Sequence, residues 1–152
     1  MATTIALPFR LFGYAGLLPF AALAALAFLG PPSWRGLAVP ALGAYGAVIL
    51  SFLGAVHWGL ALRASSEEAP AAWPRLALGV LPALIGWVAL MLPVRPGLAL
   101  LAAGVLAVAV VETAAARRGL LPKDYLELRW QLSAGAGACL LLGAVVPGAG
   151  PG

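Results

Sequence analysis

Few side chains in this chain could do chemistry, and most of them sit close to the ends of long apolar blocks. The single histidine, His57, and a carboxylate, Glu112, each lie inside an uncharged run, six residues before Arg63 and five before Arg117. At about 1.5 Å of rise per residue, both fall roughly 7 to 9 Å inside the same end of two parallel helices. A carboxylate level with a histidine forms a pH-responsive contact suited to handling a proton, and this pair is the sharpest specific chemistry on offer. Tyr14 stands just inside Arg10, Gln131 and Ser133 stand just inside Arg129, and Tyr125 and Arg129 are four apart on one helical face. The candidate polar contacts for a ligand are therefore Tyr14, His57, Glu112, Tyr125 and Arg129.

Each has a plainer role beside the functional one. Glu112 is near enough to an interface to snorkel or to pair with a neighbouring arginine. One histidine without a second His or a Cys makes no ordinary metal or haem site, so His57 reads first as a hydrogen-bonded packing residue. Cys139, alone in an apolar run, reads as a small buried hydrophobe. The sequence has no Gly-rich phosphate loop, zinc-protease motif, CxxC pair or Ser-His-acid set. The reading leans away from an enzyme, and no cofactor or metal is expected.

The elements that must position these groups are membrane spans. With 63% hydrophobic and 9% charged residues in 152, a soluble domain has no room, and the backbone must satisfy itself within helices. The expected fold is all-α, an integral membrane bundle forming a single domain over 1–152, with spans near 11–29, 38–62, 76–92, 97–116 and 127–146. The longest uncharged run, Gly36 to Leu62, is 27 residues closed by Arg35 and Arg63, and the part after Pro40 alone crosses a hydrocarbon core of roughly 30 Å. The first block resembles a signal peptide in following one basic residue, but it is too long for that and is interrupted by Pro19.

Breakers divide the spans. Gly30-Pro31-Pro32 stops the first, ASSEEAPAAWP forms a surface loop, and Pro93-Val94-Arg95-Pro96 makes a tight turn. The run Pro122 to Arg129 reads as an interfacial lead-in helix with Leu121, Leu126 and Leu128 free to meet the membrane surface. Seven Lys and Arg residues fall on one side, among them Arg10, Arg63, Arg75, Arg117 and Arg129, against Arg35 and Arg95 on the other. The positive-inside rule places the N-terminus in the cytoplasm, or in the matrix if the membrane is mitochondrial, and the C-terminus outside. The net charge of +4 is thus a topology signal, and no nucleic-acid partner is expected. Gly16-Leu17-Leu18-Pro19 and Gly79-Val80-Leu81-Pro82 occupy similar places in spans one and three, as a duplicated hairpin or coincident kink sites would.

The outer half is nearly featureless, with Tyr45 and Trp87 its main polar-capable groups. A transported ion or solute needs polar groups through the whole depth, so this distribution argues against a channel or transporter and for a cavity or contact surface opening inward. On span two, Gly43, Ala47, Ser51, Gly54 or Ala55, and Trp58 form a small-residue stripe that permits close helix approach, for internal packing ahead of a partner face. Trp34, Trp58, Trp73 and Trp130 read as interfacial anchors, and Trp87 as deep.

The segments GYAGLLPF (13–20), YGAVILSFLGAVHWGLAL (45–62), LPALIGW (81–87) and LPKDYLELRWQLSAG (121–135) resemble the small multipass family called domain of unknown function 3429. That family is similar to mitochondrial transmembrane protein 69 of animals. The resemblance covers nearly the whole chain and implies five helices and an inner-membrane location, with no established activity. The family pattern carries an aspartate where Glu112 stands and a Trp-Tyr pair where this chain has Asp124-Tyr125. The expected function is that of a binding, accessory or assembly subunit whose partners are the lipid bilayer and other membrane proteins or further copies of itself. The alternatives are an inward-facing pocket for a hydrophobic ligand such as a quinone or porphyrin, and a proton-coupled transporter or channel. Richness in Ala, Gly, Arg and Pro with a single Lys suits a bacterial inner-membrane protein, with the mitochondrial inner membrane as the alternative.

Overall fold

A computed structural model describes residues 7–63, 72–117 and 123–147. It contains α1 (Leu7–Ala15), α2 (Leu18–Leu29), α3 (Pro32–Leu62), α4 (Ala72–Met91), α5 (Val94–Arg117) and α6 (Lys123–Val145), with no strand among the described residues. Together α1 and α2 make the first crossing, so five stretches are long and apolar enough to span a membrane. The protein is an all-helical membrane bundle.

Prolines explain where the helices differ from the expected spans. Pro19 has no N–H to give, so it fits the first turn of a new helix better than the middle of an old one, and the chain breaks at Gly16-Leu17 just before it. The Gly16 N–H reaches Phe12 O and Gly13 O, both at 3.1 Å, tightening the last turn of α1. Tyr45 on α3 donates its hydroxyl to Gly16 O at 3.0 Å and meets Phe20 edge-on with ring centroids 4.8 Å apart. The tyrosine that marked the outer half as partly polar is thus a brace for this break.

The second crossing begins earlier than position 38 because Pro32 is tolerated at a first helical turn. Its 31 residues run about 46 Å, longer than the hydrocarbon core, so the helix tilts or projects beyond it. In the same way Pro96 sits inside the first turn of α5, and the tight turn shrinks to Leu92-Pro93. Pro122 and Leu121 lie outside the described residues, but the lead-in they were to open is the start of α6 itself. Leu128 and Arg129 are buried in the bundle there, since Arg129 has a partner on α5.

Helix α3 is central, packing on α2, α4, α5 and α6. Its small residues set the approach to α4. A Cβ at Gly54 would lie 2.7 Å from Gly79 O and 3.2 Å from Leu78 O, so only hydrogen fits between the two backbones. Pro82 cannot donate to Leu78 O four residues back, and this freed carbonyl faces Gly54. Trp58 lies over Gly79 and donates Nε1–H to Leu76 O at 3.2 Å. Nearer the other end, Ala47 backs onto Gly86, and Gly43 faces Leu98 and Leu90. Ser51 turns its hydroxyl to Ala47 O of its own helix at 2.8 Å. With this cover the segment from Gly79 to Pro82 stays helical, whereas the similar one from Gly16 to Pro19 opens. Trp87, within α4, is mostly exposed on the outside of the bundle.

Candidate functional site

Three helices converge on one carboxylate near the end of the bundle that carries Arg63 and Arg117. Helix α3 supplies His57, α5 supplies Glu112, and α6 supplies Tyr125 and Arg129 from successive turns of one face. Glu112 is 1% exposed, His57 3% and Arg129 6%, so the site is shielded from bulk solvent and its charges must compensate one another. Arg129 donates Nε–H to Glu112 Oε2 at 2.6 Å, a short charge-assisted bond. Tyr125 donates its hydroxyl to Oε1 at a longer 3.4 Å. His57 Nε2 is also 3.4 Å from Oε1, within ion-pair reach, but its N–H is not aligned for a hydrogen bond.

A second clamp joins the same two helices. Trp130 donates Nε1–H to Thr113 Oγ1 at 2.9 Å, and Thr113 donates to Ala109 O at 2.8 Å. At the rim, Tyr14 donates its hydroxyl to the Gln131 side chain, linking α1 to α6. At the opposite end of the bundle, Arg35 Nη1 reaches Pro147 O at 3.4 Å.

Residues 5–145 match the family described as "Protein of unknown function (DUF3429)". The chain belongs to the DUF3429 family. Transmembrane protein 69 of Xenopus tropicalis is 40% identical over 79 residues, which cover 52% of this chain and 30% of the frog protein. The match therefore spans less than a third of that relative's length. No solved structure matches the chain.

In this DUF3429 member the structure brings four of the five sequence-derived polar candidates together, His57, Glu112, Tyr125 and Arg129, and leaves Tyr14 outside with Gln131. The stripe on α3 packs within the bundle, chiefly on α4. Thr113 was not read as a site member, and Ser133, read as part of the same polar layer, was not counted among the ligand contacts. Thr113 follows Glu112 directly, and Ser133 stands four residues after Arg129, both readable signals of a shared level or face. Arg75, counted as a surface anchor, is 7% exposed on α4, and nothing in its local sequence separates it from an ordinary basic flank. Among the described residues no three His, Cys, Asp or Glu side chains come together, so His57 and Glu112 offer at most a pair of ligands to a metal.

The His57 contact is open to a direct test. A His57→Ala, Glu112→Gln double-mutant cycle on unfolding free energy is expected to show a coupling of at least about 0.5 kcal/mol. Effects that simply add would make the two side chains neighbours without an interaction.

Proposed function

We propose that this protein acts by binding, as an accessory or assembly subunit for other membrane proteins, and moves no solute. One observation carries the reading: the buried charged cluster of His57, Glu112 and Arg129 lies at one end, while the rest of the bundle is closed by apolar side chains. Leu42, Leu50, Leu98, Leu101 and Leu140 are each at most 2% exposed. A hydrated ion or a proton leaving Glu112 meets no polar relay through that packing. The likeness to a transmembrane protein supports a membrane protein, and the family match brings no activity with it.

Solubilised gently from native membranes, the protein is expected to carry a protein partner in fixed ratio. Reconstituted alone in liposomes, it is expected to pass protons and ions no faster than empty vesicles. Flux that scales with protein and disappears in Glu112→Gln would defeat this reading.

The location that fits best is a bacterial inner membrane with the N-terminus in the cytoplasm; the alternative is a mitochondrial inner membrane with the N-terminus in the matrix. What supports the orientation is the excess of basic residues beside Arg10, Arg63 and Arg117, which survives the burial of Arg75. Reporter fusions in a bacterial host are expected to show the C-terminus outside the cytoplasm, and a cytoplasmic C-terminus would reverse the assignment.

A further inference from the structure

A cavity of about 170 Å³ lies where α1, α2, α3 and α6 meet above Val105 of α5. Its walls are almost wholly apolar, with Phe20, Leu53 and Val105 at the back and the glycines Gly13 and Gly16 making room on α1 and just after it. Phe12 and Phe52 line its mouth and are mostly exposed on the outside of the bundle, where the acyl chains run.

Two polar residues break this lining, Arg129 and Ser133, one helical turn apart on α6. Ser133 is 1% exposed, yet its Oγ has no hydrogen-bond partner, and Arg129 Nη2 is buried with none either. Leaving such groups unsatisfied costs about 1–3 kcal/mol each, so a partner atom is called for.

The size and charge of the cavity define that partner. An engineered apolar cavity of about 150 Å³ takes up benzene, so the space here suits one six-membered ring or a short stretch of chain and excludes a porphyrin. Arg129 is already neutralised by Glu112 at 2.6 Å, so a bound anion would leave an uncompensated buried charge. A neutral acceptor is favoured over a carboxylate.

We propose that this cavity binds the carbonyl end of a neutral amphipathic molecule, either a ring ketone of the quinone kind or the acyl ester of a lipid. Arg129 Nη2 and Ser133 Oγ donate to the carbonyl oxygen, and the apolar tail leaves past Phe12 and Phe52 into the bilayer. Of the residues singled out in the sequence as ligand contacts only Arg129 takes part, while Tyr14, His57, Glu112 and Tyr125 lie outside the lining. The inference is independent of the accessory reading, because binding is read on the purified chain and partner capture in native membranes.

The test is native mass spectrometry of the full chain released from maltoside micelles, with decylbenzoquinone, methyl laurate, laurate and dodecylbenzene as probes. One molecule of the quinone or of the ester is expected to bind per chain, at least about tenfold tighter than dodecylbenzene, and whichever wins identifies the source of the carbonyl. Ser133→Ala is expected to weaken that binding three- to tenfold, the loss of one donor, and to leave the melting temperature unchanged or raised because the hydroxyl has no protein partner. Ala136→Leu, which fills the cavity, is expected to abolish binding, and Ser133→Ala decides alone if that variant does not fold. Equal binding of the hydrocarbon, preference for laurate, indifference to Ser133→Ala, or bound water with none of the probes would overturn the proposal.

Discussion

Replacing Glu112 with alanine is expected to cost about 3–5 kcal/mol of unfolding free energy, the largest effect of any single substitution at this site. The reason is the charge left behind: Arg129, 6% exposed, would lose the carboxylate 2.6 Å from its Nε and stay buried without compensation. Hydrogen bonds between membrane helices average only about 0.6 kcal/mol, and the Tyr125 contact to the same carboxylate is long at 3.4 Å, so Tyr125→Phe is expected to do far less. Removing both charges as Glu112→Leu with Arg129→Leu should recover most of the loss, since an apolar pair of similar volume often replaces a buried ion pair at little cost. Glu112→Asp keeps the charge and is expected to be tolerated with a modest loss, whereas Arg129→Lys gives up the planar donor set and is not conservative. Reversible unfolding in mixed micelles measures all five. A double variant no more stable than Glu112→Ala would show that the loss does not come from the charge left on Arg129.

Gly54→Ala and Gly79→Ala are expected to fail for different reasons, and Trp58 separates them. At Gly54 the added Cβ falls 2.7 Å from Gly79 O and 3.2 Å from Leu78 O, both backbone atoms, so α3 and α4 must move apart. The expected cost is at the upper end of the roughly 1–3 kcal/mol typical of overpacking. At Gly79 the added Cβ falls 1.7 Å from Trp58 Cδ1 and 2.2 Å from Nε1, an impossible overlap, but the obstacle is a side chain. Trp58 is 47% exposed and can swing outward, giving up its hydrogen bond to Leu76 O. Adding Trp58→Ala should therefore leave Gly79→Ala with little further penalty and do nothing for Gly54→Ala. Thermal unfolding of the two singles and the two doubles decides it, and rescue of Gly54→Ala by Trp58→Ala would mean that the helices are not in backbone contact there.

Much of this architecture was legible before any coordinates. Five crossings follow from blocks of apolar residues long enough for a bilayer and closed by arginines or breakers, and both properties are local. Three of the four segments of family character lie in the same blocks, and the fourth leads from a loop into the last of them. The shared level of His57 and Glu112 was also readable, because a fixed rise per residue turns distance from a flanking arginine into depth.

What could not be read is direction around the helix axis and choice of neighbour. Counting placed His57 beside Glu112, but it did not show that Arg129 is the short partner, that Tyr14 belongs to Gln131, or that Arg75 turns inward. Nor did it show that the interfacial lead-in to span five already buries Leu128 and Arg129. The break at Gly16-Leu17 and the unbroken helix at Gly79 to Pro82 have nearly the same local sequence. They differ because Gly54 and Trp58 of α3 cover one, and Tyr45 braces the other from a distance. The cavity beside Ser133 depends on four helices meeting at particular angles. Sequence determined the spans and the depth of each polar group, since length and rise are properties of one helix. Tertiary structure alone decided which groups touch, because that depends on how one helix turns toward another.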